Sequence, residues 1–225
     1  MTRPSARTAG TGSAPRVGTK GVPRAVRERQ ILDAATEEFG RRGYHAASLT
    51  AVADRVGVTK TLLHQYFGAK QDLYLACLTP VGDRVLDAVR AAMADGGGRD
   101  PGTPLRVLHA LFTALEGRRE GWFVLYDPSL PADGEPARRA GRYRAEIDRL
   151  AALGTADLLD EDGAVDPLDA DALMYAWRGL VTALVRWWVK HPGQSPEQMA
   201  RRCARLFAVA GAAFAAEPPT GTSAR

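Results

Sequence analysis

The chain has few of the residues that most chemistry depends on. It carries two cysteines, Cys77 and Cys203, in 225 residues. They are far apart and set in apolar surroundings, which leaves no metal-binding or redox spacing. Two buried free thiols in a reducing compartment are expected. Only four histidines occur, and His109 and His191 lack a carboxylate or nucleophile pattern around them. No glycine-rich phosphate loop and no metal-ligand spacing is found. The sequence therefore predicts a protein that is not an enzyme and needs no cofactor or metal. No apolar run approaches the roughly 20 residues of a membrane span. The opening MTRPSARTAGTGSAPRVGTKG has no hydrophobic centre, which argues against a secretory signal. A cytoplasmic protein with no membrane partner is expected.

Sustained period-two alternation is also missing, and β-branched runs are short. Ala, Leu and Arg are abundant, and all three favour helix. The fold class expected is all-α. Acids are scarce at one end: residues 1–79 hold 12 Lys and Arg against 6 Asp and Glu, while residues 80–225 hold 18 against 20. A basic first third on a faintly acidic remainder suggests that the first third meets a polyanion, although basic segments also occur without any partner.

The pattern predicts a disordered basic arm over 1–22, rich in Gly, Ser, Thr, Pro and Arg. A first helix fits Arg24 to Arg42, with Ile31, Leu32, Ala35 and Phe39 at helical spacing and Gly43 as its stop. A second fits Leu49 to Val56 after Ser48 as N-cap, and a third Lys60 to Tyr66 or Phe67 after Thr59. A fourth fits Ala69 to Leu78. Thr79-Pro80 then reads as a cap followed by proline at the first helical position, starting another helix towards Ala94. Thr103-Pro104 repeats that signal for a helix to about Gly117. GWFVLYD is a short helix, and Ala137 to Leu159 is amphipathic. Asp166-Pro167 opens a long helix that His191-Pro192-Gly193 ends. Ser195 to Gln198 is a capping box for the last helix, to about Ala216. A frayed tail is expected over 218–225.

One stretch stands out: SLTAVADRVGVTKTLLHQYF, Ser48 to Phe67. Two short helices meet through a few residues that contain one glycine, the spacing of a helix-turn-helix. Val52, Val56, Val58, Leu63 and Tyr66 are apolar where the helices face one another, Ala53 is small at their crossing, and Gly57 takes the tight turn. Lys60, Thr61, Leu62, His64 and Gln65 are left facing outward or at the edge. A recognition helix presents such N-terminal residues to base edges in the major groove, and its free amides favour phosphate. Double-stranded DNA is the partner this predicts.

Residues 24–78 resemble the DNA-binding domain of the TetR family of transcriptional regulators. The resemblance rests on Phe39 and Gly43-Tyr44, SLTAVADRVGVTK across the turn, LLHQYFGAK through the third helix, and LYLACL in the fourth. It implies phosphate contacts for Ser48 and Lys70, an exposed position for Thr50, and an opening of the recognition helix at Thr59 and Lys60. His64 stands where the family usually has a tyrosine beside the backbone, Gln65 at a partly base-facing position, and Tyr44 where an aromatic sits near the DNA. Thr61 replaces a common glycine. Leu62 replaces a small or hydroxylated residue and either meets a thymine methyl or turns inward. Ser48 and Thr59 equally cap helices, and His64 and Lys70 equally suit solvent. Arg16, Lys20 and Arg24 of the arm either add contacts or are inert. The domains implied are 23–79 for DNA binding and 80–217 for effector binding and dimerisation.

The larger part has a surplus of aromatics. Most belong to a core, yet a cavity between helices is a normal ligand site, and the resemblance implies a small-molecule effector there. Phe112, Trp122, Tyr126, Tyr175, Trp177 and Arg178 are the expected walls. Arg178 interrupts an apolar helix, either to meet an acidic ligand or to pair with Asp127 or Glu116. The last two helices are apolar round more than one face and so need a second partner. A homodimeric four-helix bundle supplies it, through Gly179, Ala183, Trp187, Met199, Cys203, Leu206, Ala210 and Phe214. The function expected is a dimeric repressor released from a near-palindromic operator by its effector. The alternative is a DNA-bound regulator that works through a protein partner.

Overall fold

The computed structural model describes residues 21–95, 100, 102–159 and 166–215, without the side chains of 155–159 and 213–215. The predicted basic arm up to residue 20 and the predicted tail over 218–225 lie outside the described residues. Among these residues every regular element is a helix. The order is α1 (Arg24–Ala46), α2 (Leu49–Val56), α3 (Lys60–Phe67), α4 (Lys70–Ala94), α5 (Thr103–Leu115), α6 (Gly121–Leu125), α7 (Glu135–Leu159), α8 (Pro167–Val189) and α9 (Pro196–Ala215).

α1 buries Ile31, Ala34, Ala35 and Phe39 on one stripe. Its helical geometry breaks at Gly43, where φ is 73° and ψ 167°, a region open in practice to glycine alone. Gly57 ends α2 in the left-handed conformation and donates to the carbonyls of Ala53 and Asp54. That turn sets the angle between α2 and α3, with Val52, Ala53 and Leu63 buried in the angle.

α4 differs from the sequence expectation. The helix expected to end at Leu78 and the one expected to begin at Pro80 are one continuous helix, with Pro80 inside it. The proline removes the hydrogen bond to the Ala76 carbonyl, a cost of about 3 kcal/mol in an isolated helix. Val81, Val85, Leu86 and Val89 carry the buried stripe straight past it, and that packing outweighs the lost bond. The proposed division between 79 and 80 thus falls within a helix that packs on α1 and α3 at one end and on α5, α6 and α7 along the rest. α5 begins at Thr103, one residue earlier than expected, after Gly102. The capping box of α9 has both its bonds: Gln198 N–H to Ser195 Oγ at 3.2 Å, and Ser195 N–H to Gln198 Oε1 at 2.7 Å.

α9 packs on α5, and α8 on α7. Arg119 joins the elements around the α8–α9 turn. Its guanidinium stacks on Trp188 at 4.0 Å and donates to the carbonyls of Trp188, His191, Pro192 and Gln194.

Candidate nucleic-acid interface and effector cavity

The α2–α3 corner is built by its caps. Ser48 Oγ accepts the Ala51 N–H at 3.2 Å, and Thr59 Oγ1 accepts the Leu62 N–H at 3.1 Å. Glu38, buried in α1, accepts the Ser48 N–H at 3.1 Å and lies 3.2 Å from Arg42. Ser48, Thr50, Thr59, Lys60, Thr61, His64 and Gln65 are all exposed, and Leu62 is half-buried. One face therefore carries the N-terminus of α3, four hydroxyls, an ammonium, an imidazole and an amide, a set suited to phosphate and base-edge contacts.

Three positions do more than the sequence indicated. Lys70 Nζ donates to the carbonyls of Ala47 at 2.8 Å and His45 at 3.2 Å, and sits 5.1 Å above the Tyr44 ring. Burial pulls its pKa below the ordinary lysine value. It clamps the α1–α2 connection, with one donor left for a phosphate. His64 Nδ1 lies 2.7 Å from the Gly68 carbonyl. A carbonyl only accepts, so Nδ1 carries the proton, and Nε2 donates outward only when the ring is charged. Tyr44 packs between Phe39 and Tyr74, at ring distances of 6.3 and 5.3 Å.

The Tyr44 backbone connects the reading head to the larger part. Its N–H donates to Asp127 Oδ2 at 2.6 Å. Asp127 is 3% exposed, and it also accepts the Ser129 N–H at 2.8 Å and the Tyr74 hydroxyl at 3.3 Å. Arg118 to Asp33 at 2.7 Å and Arg41 to Glu120 at 3.5 Å tie α1 to the segment before α6.

A cavity of about 110 Å³ lies between α4, α5, α6, α7 and α8. Val89, Met93, Val107, Leu111, Ile147 and Val181 give it apolar walls, and Trp122, Tyr126 and Trp177 add aromatic faces. Trp122 and Tyr126 lie against each other at 4.4 Å with their rings tilted by 31°, and the Trp122 indole N–H is taken by Thr182 Oγ1 at 3.1 Å. The charged lining is Arg178 and Asp148, paired at 3.2 Å. Burial first, and Asp148 second, push the Tyr126 phenol well above its ordinary pKa, so it stays protonated. Of the six walls expected from sequence, Trp122, Tyr126, Trp177 and Arg178 line this space. Phe112 does not: it is fully buried against Trp188, at 5.3 Å. Tyr175 does not either, since it is 60% exposed, with the Arg178 guanidinium over its ring at 4.6 Å. The Arg178 partner is Asp148, one helix over, in place of Asp127 or Glu116.

Residues 31–77 match the sequence model of the bacterial regulatory proteins of the tetR family. The HTH-type transcriptional activator FasR of Mycolicibacterium smegmatis is 38% identical over 171 residues, covering 76% of this chain and 75% of FasR. This chain belongs to the TetR family. It is a DNA-binding transcriptional regulator of that family, and the likeness to FasR runs well beyond the reading head. A TetR-like transcriptional regulator from Rhodococcus sp. RHA1 superposes with a TM-score of 0.59 at 28% identity, covering 87% of this chain and all of that one. The Bacillus subtilis regulator FadR, solved in complex with stearoyl-CoA, shares the fold at a TM-score of 0.55 and 16% identity, over 79% of this chain and 96% of that one. Among the described residues of this TetR-family regulator, no helix is long and apolar enough to cross a membrane.

The residues assigned to a dimer face divide in two. Gly179, Ala183, Trp187 and Leu206 are exposed and Ala210 is half-buried. Met199 and Cys203 are fully buried within the single chain, in the helix that packs on α5. They belong to the core and are not available to a partner; the Phe214 side chain lies outside the described residues. The outer face of α9 holds Leu206 and Val209, 55% and 69% exposed; Val209 lies off the helical stripe that runs through Met199 and so has no place in the sequence expectation. Asp148 lies outside the sequence expectation, since an acid amid arginines on a helix reads as solvated; Asp127 appears there as a partner for Arg178 and is instead the acceptor of the Tyr44 N–H.

Proposed function

We propose that this regulator works as a homodimer that a small-molecule effector releases from a near-palindromic operator. The observation that carries this reading is an unbroken chain of contacts from cavity to reading head. Tyr126 lines the cavity, and the next residue, Asp127, holds the Tyr44 N–H. Lys70 rests on the Tyr44 ring and clamps the carbonyls of 45 and 47, one residue short of the Ser48 cap. A ligand that displaces Tyr126 thereby alters the seat of α2. It shifts the balance only by its preference for one arrangement, and a hundredfold loss of operator affinity takes about 2.7 kcal/mol of coupling. Ser48, Lys60, Thr61, His64 and Gln65 are the proposed DNA contacts, with Leu62 at the edge. The exposed faces of α8 and α9 supply the two-fold contact, which sets two α3 helices about 34 Å apart on the duplex.

Release reads out as derepression where the operator overlaps a promoter. The FasR name supports a second reading, loss of activation from an upstream site. The cavity supports a small-molecule effector over a protein partner, and no catalytic role is proposed for it.

The test is selection of bound sequences from a random DNA pool at two salt concentrations. Recovery of a near-palindromic motif, with affinity falling steeply in salt, is expected. A motif without two-fold symmetry, or no motif, would overturn the reading.

A further inference from the structure

The polar atoms of the cavity are few, and their bonding is uneven. The Trp122 N–H is already satisfied by Thr182. Tyr126 Oη makes no hydrogen bond among the described residues. Arg178 donates to Asp148 through Nη1 alone, at 3.2 Å, so the pair uses one arm of a five-donor fork that suits bidentate carboxylate binding. Two unspent donors, one of them charged, lie among walls that are mostly apolar. That arrangement selects a ligand with one anionic, planar acceptor head and an apolar body. A body without an acceptor leaves both donors unused, and a second negative charge finds no second cation in the lining.

Size narrows the body. A cavity of about 110 Å³ is smaller than an engineered cavity of about 150 Å³ that takes benzene. It is far below the roughly 300 Å³ at which drug-sized ligand pockets begin. One ring fits with a modest shift of side chains, and Trp122 and Tyr126 offer it aromatic contact. A long acyl chain would have to extend beyond this space.

We propose that the cavity binds a compact hydrophobic monocarboxylate, of arylcarboxylate type, whose head displaces Asp148 from Arg178 and accepts the Tyr126 hydroxyl. Asp148 has somewhere to go. Its side chain is 27% exposed, and Arg144, one turn earlier on α7 and without an ion pair among the described residues, lies within i,i+4 reach. The exchange replaces a tie between α7 and α8 with a pairing inside α7. The inference rests on the reading of this cavity as the effector site.

Calorimetric titration of the full-length protein with phenylacetate, 2-phenylethanol and dodecanoate tests it, with Arg178→Met, Asp148→Asn and Tyr126→Phe as variants. Phenylacetate should bind at least tenfold more tightly than the alcohol. Arg178→Met should abolish that preference while leaving alcohol binding unchanged. Asp148→Asn, which weakens the competitor, should tighten phenylacetate several-fold. Equal affinity for acid and alcohol, or unaltered phenylacetate binding in Arg178→Met, would overturn the proposal. So would dodecanoate binding tenfold above phenylacetate, or no binding by any probe. Operator affinity measured alongside separates the two readings: phenylacetate that binds through Arg178 without loosening DNA leaves this assignment standing and removes effector release.

Discussion

The carboxylate of Asp127 and the backbone N–H of Tyr44 meet at 2.6 Å, 83 residues apart in sequence, where the broken end of α1 reaches the loop after α6. Three donors converge on that acid in a buried position. Removing it strands the Tyr44 and Ser129 amides, and each orphaned buried donor costs about 1–3 kcal/mol. Asp127→Ala should lower stability by about 2–4 kcal/mol in urea unfolding. Asp127→Asn, which retains an acceptor, should lose less, and its operator affinity should fall more than its stability accounts for.

Gly43 and Gly57 both have φ near 73° but should respond differently to alanine. A Cβ on Gly57 meets open space, so Gly57→Ala carries only the left-handed backbone cost of about 1 kcal/mol. A Cβ on Gly43 would stand 2.7 Å from Ser129 Oγ and 3.3 Å from Asp127 Oδ1. Its backbone also lies in the more restricted region, which alone costs about 1–3 kcal/mol. Chemical denaturation of the two variants should rank Gly43→Ala well below Gly57→Ala.

The thiols report on packing. Burial pushes the Cys77 thiol up to about 12, and raises Cys203 in the same direction. A disulfide reagent needs thiolate and access. Neither cysteine should react in the native protein near neutral pH, and both should react once it is unfolded in urea. Fast native labelling of Cys203 would show that α9 leaves α5 readily.

Acid should weaken the fold partly through Glu146. Hydrogen bonds first from Arg149 and then from Arg90 hold its carboxyl down at about 2. The folded value is depressed, so its contribution is present above the ordinary glutamate value of 4.5 and is lost as pH falls towards 2. Glu146→Gln should flatten that part of the stability curve and leave the neutral region nearly level. An unchanged acid limb would mean that solvent screens the pair.

What the sequence made legible follows from the range of each signal. Ser48, Gly57 and Thr59 act on amides within a few residues, so the α2–α3 corner was readable to the residue. The Ser195–Gln198 box was readable for the same reason. Thr79-Pro80 is an equally local signal, yet it failed, because Val81, Val85 and Val89 continue a stripe whose partners on α5 and α7 come later in the chain. The cavity was half legible. Trp122, Tyr126, Trp177 and Arg178 stood out by type, whereas Val89 and Leu111 look like any core residue, and Phe112 differs from Trp122 only in which way its helix turns. Period alone does not tell the inner face of α9 from the outer, which is why Met199 and Cys203, both buried within the chain, carry the same sequence signal as Leu206.

That outer face bears the last prediction. Ala183 on α8 and Val209 on α9 are exposed in the single chain, one turn from the exposed Trp187 and Leu206 of their own helices. If two copies meet there, a charge at either site is buried without a partner, which costs several kcal/mol at a two-fold interface that contains it twice. Ala183→Glu and Val209→Arg should each shift sedimentation from dimer to monomer at micromolar concentration, with the helical circular dichroism of the chain unchanged. Operator affinity should fall by two orders of magnitude or more, since a single reading head keeps only half of the phosphate contacts and so half of the salt dependence. A dimer that survives both substitutions would move the two-fold contact away from this face.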